Sequence, residues 1–532
     1  MLELKRYQCY VTRLLPYLAI VIVVGVISTY AIGSTAIDGL DSAHHIMDGI
    51  FFRDLLVDQP LAHPIAYTLD YYRKYPALGF LYWPPLFPSI EGFAFLFTGI
   101  DIRTSRACIL CFGVILGIVF YRLLQRRHGS LYGFLGAILL VSTPLVASYL
   151  NQVMLEVPAI AMGLLTIAAY RRLATNEDAV RLREGILFAV VAAAAAYTKQ
   201  TIVFVYAAIA CDVLVNHRGL LRQRRFYIAL IVVVVLLLPL GWFTLVFGKA
   251  NLEQSFGNDK SFAFSVHPPD RWTMEAWTLY PRLLTSLLNP FVALLGLAGL
   301  AYACINRSFL RSNCIWVAWI VTWYVLFSYF LNKQDRYAVL WLPGWVAVAI
   351  ALLRQITERF HIRTWAPVAI TAAVATINSG QIRANQDPGF SGMRAVIAPL
   401  ITVGSGNIAY FGEHRQLFVP IIRQEDHARR VYTLQGDDIV NATGSLKNAA
   451  YQYQINYLLI ERDKTTGADL ESLIRQLRGD SQFAQISVGT VYSQQKPILI
   501  EVYRYSGPVA ARMAPIPLKS KLLSEGAQRR LN

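Results

Sequence analysis

Charge is scarce in this chain of 532 residues: Asp, Glu, Lys and Arg make up 15% of it, against 55% hydrophobic residues. A typical soluble domain carries about 25% charged residues, so a freely soluble protein is excluded and several membrane crossings are expected. Cysteine is sparse too. The six (Cys9, Cys108, Cys111, Cys211, Cys304, Cys314) lie in or beside apolar runs, and none follows residue 314. That argues against a disulfide framework and offers no zinc spacing. No glycine-rich phosphate loop and no solenoid-period repeat is present. Acid is scarcer than base, 33 Asp+Glu against 49 Lys+Arg, for a formal charge of +16.

In a soluble protein that surplus would suggest nucleic acid; here it sits in short loops between apolar segments. Those segments are roughly 14–32, 105–122, 131–149, 158–171, 185–198, 200–215, 226–248, 286–304, 313–331, 338–353 and 365–378, about eleven spans. Lys5, Arg6 and Arg13 precede the first, which reads as a retained signal anchor. With that end inside, the arginines at 122–127, 171–183, 218–225, 307–311 and 354–363 all fall inside. The other face keeps only Lys199, Lys333 and Arg336 in its short loops. This asymmetry orients the chain. The stretch "PLFPSIEGFAFLFTGI" (85–100) carries Glu91 and two prolines and is read as an interfacial or re-entrant element.

The expected architecture is an all-α polytopic membrane domain over 1–378 with an outer loop at 33–104. A small extracytoplasmic α/β domain follows at 379–510, then a basic tail at 511–532. The tail domain rests on strand-like "NIAYFG", "YLLIER" and "PILIEVYRY" alternating with helical "LESLIRQLRG".

Chemistry-bearing residues gather on the outer face. In "DGLDSAHHIMDG" (38–49), Asp38, Asp41, His45 and Asp48 share one helical face. One reading is a solvated stripe on an amphipathic helix lying on the membrane. Another makes one carboxylate a base, or has two acids and the histidine hold a divalent metal. Glu156 follows the third span, Lys199 sits between two spans in "YTKQT", and Arg336 with Tyr337 enters the tenth in "NKQDRYAVLWLPGW". Each has an ordinary role available: loop acid, snorkelling span end, interfacial anchor. Together they offer cations for a phosphate at headgroup depth and acids to deprotonate a nucleophile.

The order of these motifs carries a resemblance. After the acidic start of the outer loop come "YWPPLFPSIEGFAFLFTGIDIRTSRA", "RLLQRRHG", "STPLVASYLNQVMLEVPA", "YTKQT" and "RYAVLWLP". This order resembles family 39 glycosyltransferases of the C-type membrane fold, similar to lipid A aminoarabinose transferases and protein O-mannosyltransferases. The resemblance implies a polyprenyl-phosphate sugar donor and inverting transfer to an extracytoplasmic acceptor. It implies a catalytic base at Asp38, a second acid at Glu156, and donor-phosphate contacts at Lys199, Arg336 and Tyr337. Relatives commonly have Lys-Pro-Pro where Trp83 precedes Pro84-Pro85 here, leaving Arg73, Lys74 or Arg336 to supply that charge. The usual acidic pair is replaced by Asp38-Gly39, so Asp41 and Asp48 compete for the second acid. No cofactor is required beyond the divalent metal left open above. The expected setting is a bacterial inner membrane with the active site outside, and no nucleic-acid partner. A transporter or flippase of lipid-linked sugars is the rival reading, and a non-catalytic envelope assembly protein the second; the near absence of charge inside the spans disfavours the transporter.

Overall fold

Each of the eleven apolar segments is helical in the computed structural model, which describes residues 2–79, 82–175, 180–257, 269–385, 389–403, 406–462, 468–493 and 496–516. Four helices among these residues are long and apolar enough to cross a membrane: Ile102–His128, Glu156–Thr175, Arg224–Phe247 and Asp335–Arg359. A fifth crossing results if Ser130–Val141 and Pro144–Leu150 count as one, bent by 68°. Pro144 has no N–H to continue the first helix and is pre-set to begin the second. The expected number of about eleven spans is therefore not reached by length and hydropathy; Leu14–Ser28, Gln200–Asn216, Pro290–Ile305 and Cys314–Tyr329 are shorter apolar helices.

The chain divides into two units, the first made of Met1–Gly33, Tyr82–Phe87 and Arg106–Gln386. It is a helical body. Asp335–Arg359 has 83% of its apolar window buried, whereas none of that of Arg224–Phe247 is, as befits a helix facing lipid. Small residues let the inner helices approach: a Cβ on Gly344 would come within 2.8 Å of Ile320, and one on Gly299 within 2.7 Å of Val348. This is how membrane helices pack without a hydrophobic driving force between them.

The second unit contains Ser34–Leu81, Pro88–Ser105 and the chain from Asp387 onward. Its sheet has strands β1 (Phe390–Ser391), β2 (Asn407–Phe411), β3 (Thr433–Gln435), β4 (Ile455–Arg462), β5 (Phe483–Ser493) and β6 (Lys496–Tyr505). Their order is β1-β5-β6-β4-β2-β3. β3, β2 and β4 are parallel; β6 and β5 continue from β4 antiparallel. The three strand-like runs became β2, β4 and β6, and "LESLIRQLRG" lies in the helix Ala468–Arg478. Residues 511–516 of the expected basic tail are described; 517–532 lie outside the described residues.

One helix of this unit differs from expectation, and the reason is burial. Leu40–Asp58 does not lie with a solvated polar stripe on a membrane surface. His45, Asp48 and Asp54 are buried while Leu40 is half exposed. The Asp48 carboxylate accepts the backbone N–H of Gly79 at 2.7 Å, so a loop covers that face. Against the same helix packs Leu86–Thr98, formed by the segment 85–100. At 13 residues it is about 20 Å long, too short to span. It crosses where both backbones are bare: a Cβ on Gly92 would lie 2.7 Å from the Gly49 carbonyl oxygen, and one on Gly49 would lie 2.4 Å from Glu91 Oε2. Glu91 is thus fully buried, with no hydrogen-bond partner for either carboxyl oxygen among the described residues. Burial pushes its carboxyl well above the usual range, against a smaller opposing effect of the Ser105 hydroxyl and with a contribution from Asp48, which favours the protonated form.

Candidate active site

In the helical unit, Glu156 opens the helix Glu156–Thr175 and Lys199 ends Leu182–Thr198, passing into the 3-10 turn Gln200–Val203. Two apolar helices thus bring one acid and one base together where each span stops. Lys199 Nζ donates to Glu156 Oε1 at 2.6 Å, and both side chains are more than nine-tenths buried. Glu156 Oε2 is buried with no partner among the described residues.

Tyr337 supplies the next layer. Its ring centroid is 5.9 Å from Lys199 Nζ and 5.5 Å from the Arg336 guanidinium carbon, so one aromatic ring interacts with both cations. Asn332 Nδ2 donates to the Tyr337 hydroxyl at 3.0 Å. Lys333, one of the cations expected on the outer face, turns away: it donates to the carbonyl oxygens of Phe327, Ser328 and Phe330, capping the C-terminus of Cys314–Tyr329. Burial lowers its ammonium to about 8.

The "YWPP" motif returns to this place. The Tyr82 carbonyl accepts from Asn251 Nδ2 at 2.7 Å and Gln200 Nε2 at 3.3 Å, and the Tyr82 hydroxyl donates to Gln254. Tyr82, Trp83, Lys199, Gln200, Arg336 and Tyr337 line one cleft. Asn251, Gln254 and Asn332 were not singled out from sequence. They are ordinary loop amides there, and only the fold directs them to this cleft.

In the second unit, Asp38 is half-buried in the loop before Leu40–Asp58. The residue before it is fixed. Ile37 pairs antiparallel with Phe390 through N–H···O bonds of 3.0 and 2.7 Å. Gly389, at φ 70°, makes this approach feasible, since a Cβ there would meet the Ile37 carbonyl oxygen at 2.6 Å. The Phe390 ring stacks on His414 at 5.3 Å. His414 Nδ1 lies 2.6 Å from Glu461 Oε1, and its Nε2 lies 3.2 Å from Ser493 Oγ. Sequence reasoning missed this His–Glu pair because 47 residues separate its members; a lone histidine after a strand carries no signal by itself.

Asp41 lies in the first turn of Leu40–Asp58, and His45 and Asp48 lie deeper in its buried face. Among the described residues no group of three or more His, Cys, Asp and Glu side chains is placed to share a metal ion, so the Asp41–His45–Asp48 ligand set does not assemble. Arg73 pairs with Asp70 at 2.8 Å. Lys74 donates to the Arg429 carbonyl and sits 4.7 Å from the Tyr432 ring centre, engaged with its own unit.

Residues 83–243 match the family model of dolichyl-phosphate-mannose-protein mannosyltransferases. The resemblance read from the motif order is thereby shown. The fold is similar to that of ArnT from Cupriavidus metallidurans in the apo state, with TM-score 0.60 and 12% identity, over 93% of this chain and 98% of that one. ArnT from the same organism bound to undecaprenyl phosphate matches equally, with TM-score 0.60 and 12% identity, over 94% and 99%. The Archaeoglobus fulgidus oligosaccharyltransferase matches with TM-score 0.50 and 10% identity, over 84% and 68%. Among curated proteins no sequence matches the chain. The ArnT likeness shows the fold, a helical body with a C-terminal sheet region, and the long apolar helices fit an integral membrane protein.

Proposed function

We propose that the protein is a membrane glycosyltransferase that moves a sugar from a polyprenyl-phosphate donor to an extracytoplasmic acceptor with inversion at the anomeric carbon. The observation that carries this reading is the cleft where Lys199, paired with Glu156, and Arg336 flank the Tyr337 ring beneath the Tyr82–Trp83 stretch. Two cations and one carboxylate leave that cleft net positive, suited to a phosphate at headgroup depth. The family match and the undecaprenyl phosphate held by the related ArnT fold support the donor class.

In this mechanism the acceptor oxygen attacks the anomeric carbon opposite the phosphate. Asp38 accepts the acceptor's proton. The bond from anomeric carbon to phosphate oxygen breaks, and its electron pair leaves with the polyprenyl phosphate. Arg336 and Lys199 stabilise the charge that grows there. Glu156 orients Lys199 through its Oε1, and its second oxygen is the one available to a sugar hydroxyl. Trp83, where relatives commonly have lysine, gives the donor an apolar wall and leaves Arg336 as the principal phosphate cation. The setting is the outer face of a bacterial inner membrane.

Membranes containing the protein, supplied with labelled polyprenyl-phosphate sugar and a panel of acceptors, should release polyprenyl phosphate. Asp38→Asn should lower turnover roughly 10²–10⁴-fold in a folded protein. Full activity in that variant would remove Asp38 from the mechanism, and no release with any donor would sink the transferase reading.

A further inference from the structure

The helical unit carries a second concave site that the transfer reaction does not use. Helix Asp335–Arg359 has Arg336 near its start and Arg354 near its end. With a 3-10 turn over Asp335–Trp341 and α-helix from Leu342, at about 2.0 and 1.5 Å per residue these lie about 30 Å apart, close to the roughly 30 Å thickness of bilayer hydrocarbon. Around Arg354 opens a cavity of about 530 Å³. Arg126, Arg127 and His128 line it from the end of Ile102–His128, Asn313 lines it from the start of Cys314–Tyr329, and Arg354 and Glu358 complete the wall.

The lining is preorganised and unbalanced in charge. Arg354 Nη1 donates to the Arg127 carbonyl at 2.6 Å and its Nε to Glu358 Oε1 at 2.7 Å, fixing the guanidinium across two helix ends. Three guanidiniums face one carboxylate. Two polar atoms in the wall are buried without partners among the described residues: Asn313 Oδ1, on a residue 1% exposed, and His128 Nε2, on a residue 8% exposed. Asn313 Nδ2 is already committed to the Phe309 carbonyl, which leaves its oxygen as an acceptor. An unmatched buried acceptor beside surplus cations suits a ligand that is both anionic and a hydroxyl donor. Next to these segments in sequence, Ile305 and Phe360 are 82% and 72% exposed. They offer exposed apolar surface to acyl chains.

We propose that this cavity binds the phosphate of an anionic phospholipid headgroup, with a headgroup hydroxyl donating to Asn313 Oδ1. A phosphoglycerol headgroup has both groups. Phosphatidylcholine has the phosphate but replaces the hydroxyl with a cation, which Arg126 and Arg127 would repel.

The test is a thermal-melt titration of the purified full-length protein in neutral detergent. Phosphatidylglycerol, phosphatidylcholine and inorganic phosphate are the probes. Phosphatidylglycerol should raise the melting temperature saturably and phosphatidylcholine should not. Saturation by inorganic phosphate at equal effect would support the site with free phosphate as its source. Arg126→Gln and Arg127→Gln should each weaken the phosphatidylglycerol response about fivefold. Glu358→Gln should strengthen it, a gain that misfolding cannot mimic. Arg336→Ala should leave it unchanged, separating this site from the donor cleft. No saturable response to phosphatidylglycerol or phosphate, or a response indifferent to Arg126 and Arg127, would overturn the proposal.

Discussion

Lys199 and Glu156 form one contact that serves stability and, in the proposed mechanism, chemistry as well. Each is a charge removed from water, and each is tolerable only because the other is 2.6 Å away. Lys199→Met alone should therefore cost about 3–5 kcal/mol, measurable by chemical denaturation in micelles, since it strands the Glu156 carboxylate. The double variant Lys199→Met with Glu156→Gln should recover most of that stability. If Lys199 serves the donor phosphate, the double variant stays inactive; recovered turnover would reduce the pair to a structural strut. Glu91 makes the opposite case, an acid kept neutral. Its carboxyl titrates well above the unfolded value, so the folded state binds more protons and stability falls as pH rises above about 4.3. Glu91→Gln keeps the shape without that dependence. Its melting temperature should exceed the parent's at pH 7.5, and the difference should shrink towards pH 4. A constant difference across that range would mean that Glu91 is ionised in the fold.

At the scale of elements, helix Leu40–Asp58 separates what was legible from what was not. Its existence and the acid at Asp41 follow from spacing and sequence. The expected helical face shared by Asp38 with Asp41, His45 and Asp48 does not form, because the helix begins at Leu40 and leaves Asp38 in the loop before it. Nor does the direction of the polar face follow, because that depends on partners hundreds of residues away. Arg423 binds Asp54 through both oxygens, at 2.7 and 2.8 Å, with both side chains essentially inaccessible, and Tyr71 donates to the same carboxylate at 2.8 Å. Nothing in "IFFRDLL" announces an arginine 369 positions later. Likewise Lys199, Arg336 and Tyr337 stood out as outer polar residues, whereas their mutual arrangement and the amides holding Tyr82 required the fold. Removing Arg423 as Ala strips the buried Asp54 carboxylate of its two-oxygen partner, leaving Arg53 at 2.7 Å and the Tyr71 hydroxyl, and should destabilise the second unit by about 1.5–3 kcal/mol. Limited proteolysis between residues 59 and 75 would detect it. The outlying pair Arg429–Asp58 is wetter. Its arginine depresses the Asp58 carboxyl, so the stabilisation is present above pH about 4 and lost as pH falls through the folded value.

For the whole molecule, we propose from the basic loops that the first residue and the Arg354 end lie on the inner side, and 33–104 with the C-terminal domain outside. A single cysteine introduced near residue 440 should react with an impermeant reagent in intact cells, and reaction only after lysis would reverse the topology. The pairing of Arg423 with Asp54 also sets a clock on biogenesis. Asp54 emerges 369 residues before its partner. At roughly 5–20 residues per second that interval is on the order of 20–75 s, during which a carboxylate destined for a dry interior has its half-buried neighbour Arg53 but not the buried guanidinium that grips both its oxygens. The nascent outer loop must spend that time hydrated, unfolded or chaperoned. Chains stalled before residue 423 should stay protease-sensitive in this loop even when every earlier span is inserted.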